Sequence, residues 1–349
     1  MNNNGKTCRR HNMSQSLYSL VFLFCLMAGV SCSRPESYRN ATGCVWSTSY
    51  HIIYKSDMNL EDSIQRIFRR VEMSLSPFAD SSLVSRINRG ETNLTDSLFR
   101  HVFESSKRVN MLSGGLFDPT VSPLVNLWGF GFKKADHEPL EAEIEEALKH
   151  VGIQRCRIEK DTIVRAGQST EFNFSAITKG YGCDMIGEML KQNGVNDYMI
   201  EIGGEIAVAG INPTGEKWRI MIDAPVENDS IAIHRQAALI SISDCGLATS
   251  GNYRNFRDTK IGRVGHTINP LTGYPAQNSP TLSASVIAEN AMLADALATA
   301  CMAMLPDSAM KMIEKIPGAE VMLVLPGDTA EWKIAVSSGF PTIEKGIVR

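Results

Sequence analysis

Apolar residues recur every three or four positions in several stretches of the chain. The run from Asn59 to Leu75 follows this spacing, and so does the run from Leu98 to Leu112. A repeat near 3.6 residues predicts an amphipathic helix, and Ser113-Gly114-Gly115 would end the second one. Further helices are predicted over residues 140–150, 179–194 and 289–305.

Runs rich in β-branched and aromatic residues, or alternating between apolar and polar positions, predict strands. They cover residues 45–54, 157–166, 197–202, 218–224, 237–243 and 283–287. Between Val45 and Val348 the chain has no fixed-period repeat, low-complexity tract or linker. The apolar content of 43% suffices for a sizeable core. The mature chain is therefore predicted to form one domain.

One long stretch, Ser243 to Gly273, is poor in apolar runs and dense in Gly, Ser, Thr and Asn. We expect glycine turns beside Thr249 and Ser250, where backbone N–H groups could approach a ligand. His266 lies in this polar setting, directly after a glycine. The alternative is a surface hairpin in which His266 only caps a turn.

Two irregular stretches lie earlier in the chain. Ser76 to Gly90 is predicted to be a turn-rich loop. Leu116 to Gly131 has too many Pro and Gly residues for a helix and too many aromatic residues for a solvated loop. It is either a buried irregular loop or a ring-binding wall, made by Trp128 and Phe130, with Asp118 as a hydrogen-bonding carboxylate.

Lys179 is predicted at a strand-to-helix junction, where free N–H donors favour an anion. The GxxxxGK spacing of a phosphate-binding loop is absent, and a solvated lysine is the alternative. Gly203-Gly204-Glu205 is another turn that allows close approach. In the Ala-rich helix, Asp295 and Thr299 are four residues apart and share a face. A carboxylate among apolar residues is costly unless paired, and these oxygens suit Mg²⁺.

The first residues predict export. Basic residues precede an apolar run from Leu17 to Val30, which is shorter than a membrane-spanning helix. Small residues then lead to Cys32, the cysteine of a lipobox-like sequence. We assign residues 1–31 to a lipoprotein signal peptide, 32–43 to the lipidated cysteine and a tether, and 44–349 to the domain. An ordinary secretory signal is the alternative.

Charge and cysteine content narrow the function classes. The net charge of −3 gives no basic footprint for nucleic acid. Five cysteines remain after the leader and Cys32, without metal-binding spacing, and we interpret them mostly as small buried hydrophobic residues. One disulfide stays open. The five are Cys44, Cys156, Cys183, Cys245 and Cys301.

Seven motifs in one order along the mature chain resemble the ApbE family of FAD:protein FMN transferases. Trp46 stands where that family usually has Met, and Phe78 where Tyr is frequent. The motifs are WST (46–48), FDPTVSPLVNLWGFG (117–131), NFSAITKGYG (173–182), IGGEI (202–206), ATSGNYRNF (248–256), GHTINPLTG (265–273) and ADALATA (294–300).

The resemblance implies an α+β, two-lobed single domain of the T-fold-like ApbE type, with FAD in the cleft between lobes. His266 would be the catalytic base. Mg²⁺ would be held by the backbone oxygen of Ala176 and the side chains of Asp295 and Thr299. The flavin-contacting positions would be Trp46, Phe78, Leu116, Phe117, Asp118, Asn173, Lys179 and Ile268.

The implied reaction moves FMN from FAD to a Ser or Thr hydroxyl of a protein and releases AMP. The acceptor would be a flavoprotein subunit of a membrane redox complex. The enzyme would be lipid-anchored on the periplasmic side of a bacterial membrane, with the inner membrane favoured. The alternatives are an FAD pyrophosphatase, a non-enzymatic flavin-binding lipoprotein and, more distantly, a solute-binding lipoprotein.

Overall fold

A computed structural model describes Met1 and residues 37–131, 137–225, 235–252, 256–259, 262–276, 279–327 and 332–346. The chain divides into two compact units, Met1–Ser37 and Tyr38–Arg349. The predicted signal peptide and Cys32 lie outside the described residues. No helix within those ranges is both long and apolar enough to cross a bilayer.

Helices form most of one side of the second unit. Those described are α1 (Glu61–Leu75), α2 (Leu83–Asn88), α3 (Ser97–Leu112), α4 (Ser122–Leu127), α5 (Glu141–Leu148), α6 (Ser175–Gln192), α7 (Ala291–Met302) and α8 (Pro306–Ile313). Polar caps fix several starts: Asp96 accepts the Phe99 N–H before α3, and Asn290 accepts the Leu293 N–H before α7. The five predicted helices are confirmed, with ends that differ by a few residues.

Strands make up the rest of the regular structure. In chain order they are β1 (Tyr38–Val45), β2 (Thr48–Lys55), β3 (Arg157–Glu159), β4 (Thr162–Val164), β5 (Tyr198–Ile202), β6 (Glu205–Ala209), β7 (Trp218–Asp223), β8 (Gln236–Ile242), β9 (Cys245–Gly251), β10 (Phe256–Thr259), β11 (Gly262–Gly265), β12 (Ser283–Ala288), β13 (Glu320–Pro326), β14 (Trp332–Val336) and β15 (Lys345–Gly346).

Eight strands form one sheet in the order β1-β2-β5-β6-β9-β12-β13-β14, and every neighbouring pair is antiparallel. A second sheet has the order β15-β8-β7, while β3-β4 and β10-β11 are separate hairpins. The mixture of helices and antiparallel sheets confirms the α+β class.

Alternation along the central strands gives the large sheet two apolar faces. On β13, Val321 and Leu323 pack in the cluster that contains α7, whereas Met322 and Val324 pack against the three-stranded sheet. A period of two residues directs successive side chains to opposite faces. The fold therefore has three layers, with helices on one face of the large sheet and the small sheet on the other.

Small residues allow α7 to lie very close to its neighbours. A Cβ added at Gly180 of α6 would stand 2.2 Å from the Ala291 carbonyl oxygen, and one added at Gly246 of β9 would stand 2.1 Å from the Ala291 nitrogen. The alanine content of α7 serves the same close approach. Asp184 adds a link, because its carboxylate accepts the Ala291 and Met292 N–H groups at 2.9 and 2.8 Å.

Several predicted elements were wrong in detail because they contain turns. The single strand over 45–54 is a hairpin, since Trp46 and Ser47 have positive φ angles of 48° and 61°. Residues 38–43, assigned to the tether, belong to β1. The strand over 157–166 is likewise a hairpin, which turns at Lys160 with φ 57°.

Other corrections concern helices and the polar stretch. The predicted loop 76–90 contains α2, and the irregular stretch 116–131 contains α4. The helix predicted from Lys179 begins at Ser175. The polar run 243–273 supplies β9, a central strand, because its small residues fit beneath α7.

Candidate active site

A cavity of about 470 Å³ collects nearly all of the predicted site residues. They come from segments that are far apart in sequence, between 78 and 299. The cavity is lined by Phe78, Leu116, Phe117, Asp118, Asn173, Ala176, Lys179, His266, Ile268, Asp295 and Thr299, together with further residues.

Trp46 is the exception and lines a neighbouring cavity of about 520 Å³. Phe78, Ser175 and Lys179 line both cavities. The Trp46 ring makes an edge contact with Phe68 at 5.5 Å between centroids, and Gly182 gives it room. Phe78 is 68% exposed and lines both cavities.

A buried group of charges forms part of the main cavity. The Lys179 ammonium lies 2.5 Å from Oε2 of Glu205, and the Gly180 N–H donates to Oδ2 of Asp295 at 3.1 Å. Burial raises the pKa of Glu205, and the attraction of the Lys179 ammonium opposes that shift. The pKa of Asp295 is also raised, because the effect of burial is larger than the opposing attraction of Lys179. Two carboxylates beside one ammonium carry a net negative charge when all are ionised, which favours a cation.

The oxygens predicted for a metal line the same cavity. Asp295 and Thr299 lie one turn apart on α7, and Ala176 lies in the first turn of α6. Carboxylate, hydroxyl and carbonyl oxygens are what Mg²⁺ prefers, so the donor types fit. Within the described ranges no group of three or more His, Cys, Asp or Glu side chains could hold a metal. Any ion here would depend on mixed donors.

Both carboxylate oxygens of Asp118 accept hydrogen bonds from within the protein. Oδ1 accepts the N–H and hydroxyl of Thr120 at 2.8 and 2.6 Å, and Oδ2 accepts the Ile153 N–H at 2.9 Å. The Thr120 hydroxyl in turn accepts the Gly152 N–H at 2.7 Å. Burial raises the pKa of Asp118, although these donors oppose the shift. Asp118 therefore anchors its loop while it lines the cavity, and its contact with the flavin stays a prediction.

The aromatic residues of that loop separate into two roles. Trp128 is 5% exposed, belongs to a small apolar cluster with Ile268 and donates to the Gly273 carbonyl at 2.8 Å. Phe130 lines the cavity and meets the His266 ring edge-on at 6.4 Å. Phe117 is 2% exposed and mainly fills the core. Trp128 therefore supports the wall from behind and does not form it.

His266 directly follows β11 and is half-buried at the cavity. The preceding Gly265 is needed for packing, since an added Cβ would stand 2.6 Å from Cγ of Asn252. Asn252 also accepts the Thr267 hydroxyl at 2.7 Å. His266 is thus flanked by two residues that lie close to Asn252, and its side chain is half-buried at the cavity.

The prediction of glycine turns beside Thr249 and Ser250 was wrong. Both residues lie on β9 and pair with Ser285 and Ala284 of β12. Their hydroxyls take part instead: Thr249 Oγ1 is 2.8 Å from Ser285 Oγ, and Ser250 Oγ is 3.3 Å from Thr299 Oγ1. The cavity has hydroxyl groups on this side where a cradle of N–H groups was predicted.

Two further outcomes concern Asn173 and Glu205. Asn173 helps to start α6, because its Oδ1 accepts the Ser175 N–H at 2.9 Å. Glu205 is 3% exposed and was overlooked as a site residue. Its only sequence signal was a charged residue placed between a glycine turn and the apolar run of β6.

The cysteines form no disulfide within the described ranges. Cys156, Cys183 and Cys301 are buried as predicted, whereas Cys44 is exposed and Cys245 is half-buried. The Cys183 thiol donates a hydrogen bond to the carbonyl oxygen of Glu205 at 3.2 Å. Burial raises the pKa of Cys301 to about 12. These thiols have the properties of packing residues.

Comparison with known proteins gives full-length matches. The model of the ApbE family matches residues 44–323. An FAD:protein FMN transferase of Vibrio cholerae is 32% identical over 93% of this chain and 99% of its own length. One from Haemophilus influenzae is 30% identical over 87% and 91%.

Solved structures agree with the sequence matches. The flavin transferase ApbE of Vibrio cholerae has a TM-score of 0.76 and 31% identity, covering 88% of this chain and 99% of that one. The apo flavinyl transferase ApbE of Pseudomonas stutzeri has a TM-score of 0.77 and 27% identity, covering 87% and 95%.

Proposed function

The chain belongs to the ApbE family, and from that premise we propose that it is an FAD:protein FMN transferase. It moves FMN from FAD to a Ser or Thr hydroxyl of an acceptor protein. The observation that carries the proposal is one cavity lined by His266, Lys179 and the Asp295–Thr299 pair, in a chain with full-length FMN-transferase relatives.

FAD is proposed to occupy this cavity as substrate, in a cleft between two lobes of the domain. The exposed ring of Phe78 and the half-buried ring of Trp46 would contact its flat ring systems. Leu116 and Ile268 offer apolar surface to the same ligand. Stacking on aromatic rings and a mainly apolar wall suit a large heteroaromatic molecule.

In the proposed reaction the acceptor hydroxyl oxygen attacks the phosphorus on the FMN side of the pyrophosphate. A new P–O bond forms, the bond from this phosphorus to the bridging oxygen breaks, and AMP leaves with that oxygen. His266 accepts the hydroxyl proton, because a neutral imidazole is a suitable base near pH 7. The product is an FMN phosphoester of the acceptor.

The remaining residues would bind the phosphate groups of FAD and offset their negative charge. Lys179 has two ammonium N–H donors beyond the one directed at Glu205, and these would bind phosphate oxygens. Asp295, Thr299 and the carbonyl of Ala176 would hold Mg²⁺. The bound ion would supply positive charge against that of the pyrophosphate. Thr299 would be oriented for this role by Ser250.

The test uses purified protein, FAD and MgCl₂, with and without a candidate acceptor. Release of AMP only when the acceptor is present, with the mass of FMN added to one hydroxyl residue, is the expected result. Release of AMP without the acceptor would instead indicate an FAD pyrophosphatase. Binding of FAD without any AMP would indicate a flavin-binding protein.

The place of action is a separate proposal that rests on the sequence. Cys32 would carry lipid and hold the enzyme at the periplasmic face of a bacterial membrane, near an acceptor flavoprotein subunit of a membrane redox complex. Membrane fractionation and lipid labelling test this. Cys32→Ser should abolish the label, and a Cys32→Ser protein that remains labelled would contradict it.

A further inference from the structure

Glu205 is a buried carboxylate for which the proposed reaction gives no task. Its side chain is 4% exposed, whereas that of its partner Lys179 is 33% exposed. The two charged ends are 2.5 Å apart, and both residues line the main cavity. The carboxylate is therefore the more deeply buried partner, and the more exposed ammonium is held beside it at the cavity.

The backbone holds Glu205 rigidly in this position. It is the first residue of β6 and pairs with Ile202 across the Gly203-Gly204 turn. The positive φ angles of these glycines, 64° and 102°, allow the tight reversal. Cys183 of α6 donates to the Glu205 carbonyl, so the same helix that carries Lys179 also contacts the Glu205 backbone.

A lysine side chain is long and flexible, and a single ammonium has little orientation of its own. A fixed carboxylate paired with it removes that freedom and leaves two N–H donors for a ligand. We propose that Glu205 is a positioning residue that holds the Lys179 ammonium toward the phosphate groups of FAD. This inference rests on the proposed transferase function.

The first test is the isosteric change Glu205→Gln, which removes the charge and keeps the volume. We expect kcat/KM for FMN transfer to fall about 10- to 100-fold, as when a catalytic group is displaced by about 1 Å. Glu205→Asp keeps the charge and should recover part of the loss. The control is Glu320→Gln on β13, a carboxylate that bonds Ser337 and the Gly339 N–H away from the cavity; it should transfer normally.

A double-mutant cycle separates positioning from a general structural role. Lys179→Met alone leaves the buried carboxylate of Glu205 without its partner and should lower the melting temperature. Adding Glu205→Gln should restore much of the stability and change the residual transfer rate less than about twofold, because a residue that acts through Lys179 has no effect without it. A double variant far less active than Lys179→Met would overturn the proposal.

A readout without turnover distinguishes failure of this inference from failure of the transferase function. The protein, free of FAD, is treated with limiting acetic anhydride, and acetylation of Lys179 is measured by mass spectrometry. Beside Glu205 the ammonium keeps its proton and reacts slowly, so Glu205→Gln should raise the rate severalfold, with Glu320→Gln unchanged. Equal labelling in wild type and Glu205→Gln would overturn the pairing, whether or not FMN transfer occurs.

Discussion

The close approach of α6 to α7 at Gly180 provides a sharp test of how the site is built. Gly180 follows Lys179 on α6, and its N–H donates to Asp295 on α7 at 3.1 Å. In Gly180→Ala the new Cβ would stand 2.2 Å from the Ala291 carbonyl oxygen, 2.6 Å from its carbon and 2.8 Å from Cα of Met292. All three are backbone atoms, so no side-chain rotation can relieve the clash.

The helices must therefore separate by about 1 Å to reach ordinary contact. Overpacking of this kind costs about 1–3 kcal/mol. Weakening a hydrogen bond to a buried carboxylate costs about 1.5–3 kcal/mol. Alanine returns about 1 kcal/mol through its better helix propensity. The free energy of unfolding should thus fall by about 1.5–5 kcal/mol.

Activity should fall further than stability alone explains. Lys179 and Asp295 lie on the two helices that separate, and a 1 Å displacement of positioned groups costs about 10²-fold in rate. Urea unfolding and FMN transfer, measured at a temperature where the variant remains folded, test both effects.

The matched control is Gly187→Ala on the same helix. Its new Cβ would stand 2.8 Å from the hydroxyl oxygen of Tyr198, which is the end of a side chain and not backbone, so a small shift of that ring relieves the contact. Gly187→Ala should therefore have nearly the same free energy of unfolding and the same rate of FMN transfer as the wild type. If Gly180→Ala matched the control in both measurements, the close contact between α6 and α7 would not set the site.

Three other predictions concern single groups. His266→Ala should bind FAD and melt as wild type does, yet transfer FMN about 10²- to 10⁴-fold more slowly; a wild-type rate would reject it as the base. Asp295→Ala should raise the MgCl₂ concentration needed for half-maximal transfer more than Thr299→Ala does, and equal requirements would reject a charged ligand there. Burial raises the pKa of Asp184 to about 7, so the folded state binds this proton more tightly than the unfolded state, and stability should decline as the pH rises from about 4 to about 7. Asp184→Asn should flatten urea-unfolding stability across that range, and an unchanged pH profile would contradict this.

Sequence periodicity predicted the elements that have one buried face, because the period of apolar residues directly reflects burial. The helix spacing of Asp295 and Thr299 correctly placed them together at one cavity. Turns without glycine were missed: Trp46 and Ser47 carry none of the usual residues of a two-residue hairpin turn. Lys179 was placed at a helix start because the start signal at Asn173 was not used.

Small residues caused the largest error, and the reason is physical. Glycine permits both a turn and the close approach of two backbones, and a sequence does not distinguish the two uses. In β9, Gly246 serves approach, since any side chain there would strike the Ala291 backbone. Glu205 was missed for a related reason, because its importance comes from Lys179, which is 26 positions earlier in the chain and reaches it only in the folded state. The partners that make a buried carboxylate tolerable are a property of the fold, so chemistry based on such pairs is found only when the packing is known.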